Sequence, residues 1–389
     1  MSVRVDPNLP KEIAEYGGAT IATCFNCGNC TAVCALSKED TVFPRKFIRY
    51  MQLGLKEKML ESIDPWLCYY CGDCSDTCPR EARPGQLMMA SRRWLISMYD
   101  WTGLSRLLYR KAAWELGALA IVALLVLGLF TLPEQFGFRL LAQHPEARQA
   151  VRLGAFAPKE WVHAGDIALA LLLSAFLLSN AARMVYFAQR HGPSVQPGVY
   201  LLQLKELLVH GLTQRRWAEC NSDTTKHWLR HLALVTAYGT MFVLVVGFLY
   251  WFQVEDASFH WTSLLGYYAT LVLLGATLWI MRDRLAQEDQ IHKHSDLADW
   301  LFVILLFLTS LSGIALHLCR LLDLPLPTYV LYVVHLMIAV PMLVVEVPFG
   351  KWAHLLYRPL AAYLAAVQAR ARVLETSRLR PSPAAVPGG

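Results

Sequence analysis

The sequence predicts an all-α protein in two parts, a polar helical head over residues 1–111 and a six-helix membrane bundle over 112–358, with a tail from 359 to 389. Three observations carry this: two cysteine runs of identical spacing, a helical periodicity between them, and six continuously apolar stretches after them. Hydrophobic residues make up 55% of the 389-residue chain and charged residues 17%. The apolar ones concentrate after about residue 112, so the two parts are suited to different solvents.

The cysteines come first. Cys24, Cys27, Cys30 and Cys34 follow the same CxxCxxCxxxC spacing as Cys68, Cys71, Cys74 and Cys78, and together they are eight of the chain's ten cysteines. This spacing turns three thiolates onto one cubane 4Fe–4S cluster, while in two-cluster ferredoxins the fourth crosses to the other cluster. One cluster is therefore expected on Cys24, Cys27, Cys30 and Cys78, and the second on Cys68, Cys71, Cys74 and Cys34. A disulfide scaffold would call for an oxidising compartment, yet the polar stretch Met1 to Pro10 offers no apolar signal region. Zinc held by paired CxxC units would leave the third cysteine of each run without a role.

Between the runs, Phe47, Tyr50, Met51, Leu55 and Met59 recur at three- and four-residue steps, which predicts one amphipathic helix with Pro44 near its start. The stretch from Pro44 to Pro79, with PRKFIRYMQLGLKEK and WLCYYCGDCSDTCPR, resembles the C subunit of heterodisulfide reductase over nearly the whole head. That resemblance implies a helical dicluster ferredoxin that relays electrons between a catalytic partner and another carrier. Arg45, Lys46 and Arg49 form either a partner-docking face or a solvated one.

Six spans near 112–132, 161–187, 229–251, 262–281, 298–319 and 328–348 each hold about the twenty apolar residues that a bilayer requires. Basic residues gather before the first span (Arg92, Arg93, Arg106, Arg110, Lys111), between the second and third, and after the fourth. The links near 252–260 and 320–327 have almost none, so head and tail are expected in the cytoplasm. The link at 133–160, with Arg139, Arg148, Arg152 and Lys159, points the other way and is outvoted. The net charge of +6 fits a cytoplasmic membrane face and not nucleic acid. In the link 190–228, Tyr200, Leu201, Leu204, Leu207 and Leu208 make an apolar stripe expected to lie in the membrane interface. Cys220 and Cys319 lack cysteine neighbours at ligand spacing and read as inert thiols. The Pro-, Ala- and Gly-rich end from Arg378 is expected to be disordered.

Ionisable residues inside spans are functional suspects, and here they include His231, His317, His335 and His354, with His163 behind them. Histidines facing each other across a bundle hold b-type haem. At about 1.5 Å per residue, His335 and His354 are too far apart along a helix to share one haem. The stretch from His335 through Pro348-Phe349-Gly350 to His354 resembles the last span of the gamma subunit of respiratory nitrate reductase and the membrane cytochrome b subunits of heterodisulfide reductases. By that resemblance His354 and His231 serve a haem b near the cytoplasm and His335 serves a second near the outer face. The family's next haem histidine would fall where Met241 stands. The partner of His335 is then Met241 or a histidine at similar depth, His317 or His163, or the second haem is absent. His317 reads equally as an interfacial histidine. His191, His210, His227, His260, His292 and His294 read as ordinary. Glu346 either carries protons for a quinone or bonds to a neighbouring group; Asp166 and Arg183 raise the same question.

No dinucleotide fingerprint or nucleophile elbow stands out in the head. The resemblances therefore imply a membrane electron-transfer protein in the inner membrane of a prokaryote, with both ends cytoplasmic. It would link a cytoplasmic catalytic partner, with flavin or iron–sulfur centres, to membrane quinone. The rival expectation is an anchor and wire that passes electrons to another membrane or periplasmic protein without a quinone site.

Overall fold

The protein is described from a computed structural model, covering residues 4–37, 41–192, 195–214, 224–253, 260–288 and 292–379. Arg215, Arg216, Cys220 and the end from 380 onward lie outside the described residues. Among those described there is no β-strand, and the protein is all-α.

The head is built from α1 (Leu9–Ala14), α2 (Asn29–Ala32), α3 (Arg45–Gln52), α4 (Lys56–Glu61), α5 (Asp64–Leu67), α6 (Asp73–Asp76), α7 (Pro84–Tyr99) and α8 (Leu104–Arg110). Its core gathers Leu9, Ile13, Phe47, Ile48, Met51 and Trp94, all buried. The periodic stretch expected to be one helix from Pro44 to Leu60 is two, α3 and α4. The break is at Gly54, which adopts φ +68° and whose carbonyl accepts the Asp6 N–H at 2.8 Å. A Cβ there would stand 2.1 Å from the Asp6 carbonyl oxygen, so the chain can pass only as glycine.

The bundle follows as α9 (Ala112–Thr131), α10 (Phe138–Gln143), α11 (Leu153–Phe156), α12 (Lys159–Gln189), α13 (Pro197–Thr213), α14 (Thr224–Gly247), α15 (Leu249–Phe252), α16 (Trp261–Ala286), α17 (Leu297–Leu321), α18 (Pro325–Pro341) and α19 (His354–Leu379). Six helices among the described residues are long and apolar enough to cross a membrane. In their most apolar stretches only 6% to 39% of residues are buried. Large side chains such as Leu125, Leu171 and Leu271 face outward instead. An outward apolar surface of this extent is what lipid would cover. In the bundle α9, α18, α17, α16 and α14 pack each against the next, and α12 leans on α14 and on the head.

At the end away from the head, the link 133–160 folds into an aromatic cap. Phe156 stacks on Tyr329 at 4.8 Å and on Phe130 at 5.6 Å, and Arg139 pairs with Glu134 at 3.4 Å. At the head end, the helix of the last span gives way after Pro341 to a wider π turn over Met342–Glu346. The backbone then turns and restarts as α19. His335 and His354 are therefore on two helices joined by a turn, not on one continuous helix. A boundary at 358 cuts through α19: the tail expected from 359 is helical to Leu379. It docks on the head, where Tyr357, Ala361 and Leu364 join the core and Tyr357 lies 4.9 Å from Trp66 and 5.4 Å from Tyr99.

Candidate functional site

The two cysteine runs fold as copies of one turn. Asn26 and Tyr70, each two residues after the first cysteine, have φ +60° and +59°, and Gly28 and Gly72 have φ +101° and +99°. The left-handed residues swing the chain round so that Asn26 N–H donates to Cys24 Sγ and Tyr70 N–H to Cys68 Sγ, each at 3.4 Å. Ala82 N–H donates to Cys78 Sγ at the same distance. Such donors favour the thiolate and tune a cluster held there.

The cysteines gather in two sets. Cys30 interacts electrostatically with Cys24, Cys27 and Cys78. Cys34, Cys68, Cys71 and Cys74 line a single cavity whose walls include Phe43, Tyr70 and Met88. Burial, first, pushes the Cys30 and Cys71 thiols up to about 11, and neighbouring cysteines push the same way. Coordination to a metal would deprotonate such thiols outright. Among the described residues no three His, Cys, Asp or Glu side chains converge on a single-ion site, whereas a cubane spreads its ligands over separate irons.

Beneath the second cysteine set the head meets the bundle. Arg92 on α7 donates from Nε to the Pro65 carbonyl at 2.7 Å and from Nη2 to the Cys68 carbonyl. Burial and the nearby Arg358 lower its pKa to about 9. Arg358, one turn after His354, lies over the ring of Tyr69 at 4.8 Å, and Tyr69 sits between Cys68 and Cys71. His231 lies within electrostatic reach of Arg358, His354 and His210, and His354 within reach of Arg358. The His354 Nδ1–H donates to the Lys351 carbonyl, a bond that fixes the ring and turns Nε2 away, as metal-bound histidines require. His210, expected to be ordinary, is buried beside His231.

The other histidines differ in which nitrogen is engaged. His335 Nδ1 meets Ser312 Oγ at 2.9 Å, and its ring fits because residue 313 is glycine: a Cβ there would stand 3.3 Å from Cε1. His317 Nε2 is taken by Tyr267 OH at 2.6 Å, and His163 Nε2 donates to the Val246 carbonyl at 3.2 Å. Met241 packs with Tyr238, Phe302 and Trp352 against a core that contains Met342. Arg183 donates to the Met98 carbonyl at 3.2 Å, tying α12 to the head.

A second feature of the junction was not legible in the sequence. Asp299, near the start of α17, accepts from Arg93 Nη2 at 3.0 Å and from Lys351 Nζ at 2.6 Å, and its carbonyl accepts from Arg284 at 2.5 Å. Arg93 also pairs with Asp296. Glu346, 1% exposed, accepts the Lys351 N–H at 3.1 Å. One polar chain thus joins α7 of the head, α17 and the turn before His354. The sequence signal for it is weak: an acid three residues into an apolar span, and a lysine after Pro348-Phe349-Gly350.

Residues 20–82 match the family described as a 4Fe-4S dicluster domain. The chain is 31% identical over 104 residues to a protein of Archaeoglobus profundus described as like the C subunit of heterodisulfide reductase, covering 25% of this chain and 55% of that protein. It is 30% identical over 79 residues to the C subunit of the H(2):CoB-CoM heterodisulfide,ferredoxin reductase of Methanothermobacter marburgensis, covering 20% and 43% respectively. A third relative, an iron-sulfur C subunit of the CoB–CoM heterodisulfide reductase of Methanocaldococcus jannaschii, is 30% identical over 96 residues, 23% of this chain and 51% of the relative. The chain thus spans about half the length of the curated relatives it matches. No solved structure matches it.

Proposed function

We propose that this chain is the membrane electron-transfer subunit of a respiratory complex. It would pass electrons between a cytoplasmic catalytic partner, carrying flavin or iron–sulfur centres, and membrane quinone, through two 4Fe–4S clusters and one or two haems b. The similarity of the head to C subunits of heterodisulfide reductase complexes supports the first half of this reading. The observation that carries the second half is Arg358, which reaches Tyr69 beside the second cysteine set while lying next to His354 and His231. The two candidate cofactor sites are therefore neighbours.

Cys24, Cys27, Cys30 and Cys78 would hold one cluster, and Cys68, Cys71, Cys74 and Cys34 the other. His231 and His354 would hold the haem nearer the head, and the neighbouring guanidiniums of Arg92 and Arg358 suit its carboxylates. His335, with Nδ1 held by Ser312, fits a ligand of the farther haem. His317 and His163 have Nε2 engaged elsewhere and fit that role less well, which leaves Met241 as the remaining candidate partner. Clusters and haem supply one-electron transfer when bound; the residues hold them, desolvate them and set their charge environment. Inner-membrane placement with head and α19 in the cytoplasm follows from the basic residues at that end.

Iron and haem content per polypeptide, with a reduced-minus-oxidised optical spectrum, tests the assignment. About eight cluster irons and a b-type haem spectrum are expected. Iron without haem would leave the wire through the membrane without a carrier and defeat the reading.

A further inference from the structure

Between head and bundle lies a cleft of about 390 Å³. Tyr70 and the start of α7, with Arg83 and Gln86, form one wall. Lys293, His294 and the end of α16 with Arg284 form the other. The cleft contains two acids, Asp296 and Asp299, and both are committed: Asp296 to Arg93, and Asp299 to Arg93 and Lys351.

Arg83 and Lys293, by contrast, make no ion pair among the described residues. They crowd His294, whose pKa is lowered by burial first and then by these two cations. Gln86 Nε2 donates to the His294 carbonyl at 3.3 Å, bracing that link against α7. The cavity is thus a basic concavity whose own acids are already neutralised, a pattern that selects an anion from outside.

Its position narrows the chemistry. The link carrying Lys293 and His294 runs directly into α17, a membrane-spanning helix. Apolar side chains stand exposed on α16 and α17 at and below this level: Leu285, Leu297, Ile304 and Leu308. A basic pocket at the polar end of membrane helices, with an apolar surface beside it, suits a phosphate head group whose chains lie along those helices. We propose that this cleft binds a phosphate anion, carried either by the head group of an acidic phospholipid or as free inorganic phosphate. The inference does not depend on the haem or on quinone.

The test uses the full-length purified protein with its clusters. Detergent-stripped protein is offered phosphatidylglycerol or phosphatidylcholine and bound lipid is counted by native mass spectrometry; inorganic phosphate is titrated in parallel by calorimetry. The variants are R83Q/K293Q, K293Q alone at an exposed position, and R282Q, which removes a cation from α16 outside the cleft. Retention of phosphatidylglycerol over phosphatidylcholine identifies the lipid source, and saturable phosphate binding without it identifies the free anion. In either case R83Q/K293Q weakens binding by about tenfold or more, the loss of roughly one charge-assisted hydrogen bond. K293Q weakens it less and R282Q leaves it unchanged. The proposal is overturned if phosphatidylglycerol is not retained over phosphatidylcholine and inorganic phosphate does not bind saturably either, or if R83Q/K293Q with intact iron–sulfur absorbance binds as the wild type does.

Discussion

Replacing Asp299 with asparagine probes how the head is held to the bundle. Asp299 compensates Arg93 at 3.0 Å and Lys351 at 2.6 Å, and its side chain is only 18% exposed while Arg93 is 13% exposed. Breaking a buried ion pair by removing one partner costs about 3–5 kcal/mol, because the remaining charges stay desolvated. Asparagine keeps some hydrogen bonding, so we expect about 3 kcal/mol for D299N. Asp296 meets the same Arg93 but is 54% exposed. For D296N the expected cost is therefore under about 1 kcal/mol. At roughly 2–4 °C per kcal/mol, D299N lowers the melting temperature by about 6–12 °C and D296N by no more than about 4 °C. The assay is a thermal melt in detergent followed by iron–sulfur absorbance, with limited proteolysis reporting release of the head. Equal shifts for both variants, or no shift for D299N, would refute the view that a buried charge cluster fastens the junction.

Other substitutions address the head and the path. G54A places a side chain at φ +68° against the Asp6 carbonyl; it should destabilise the head by about 2–4 kcal/mol, seen as earlier loss of iron–sulfur absorbance on heating. If cysteine sets cross between runs, C24S/C78S damages one cluster and keeps about four irons, whereas C24S/C34S damages both; the reverse pattern in iron content sinks the crossing. R358Q removes the guanidinium between Tyr69 and His354 and should lower haem content while sparing iron. Unchanged haem retention would show that Arg358 only packs.

The sequence made legible what is written in short-range patterns. Cysteine spacing announced the paired turns because the motif is local, and span length announced the six helices long and apolar enough to cross a membrane because burial in lipid needs a continuous apolar run. Gly54 carried a signal that was outweighed: a lone glycine inside a helical pattern can mark a break, but the periodicity of Phe47, Met51 and Met59 continues on both sides. The turn before His354 is written locally in Pro348-Phe349, whereas the π turn over Met342–Glu346 is masked by apolar residues on both sides of Pro341. Arg358, Asp299, Lys351 and His210 acquire their roles only from partners far along the chain, and no periodicity encodes such pairings. Arg358 does share a helix face with His354, four residues earlier, and that spacing is the trace a reader could have followed.

The central claim is that the clusters and membrane quinone communicate through His231 and His354. It is tested by reducing the protein in nanodiscs, adding a quinone analogue, and following cluster reoxidation by electron paramagnetic resonance in wild type and in H231A. Rapid reoxidation in wild type, with clusters still present but left reduced in H231A, is the predicted result. Clusters that reoxidise equally fast without His231, or that quinone never reoxidises in wild type, would contradict the account.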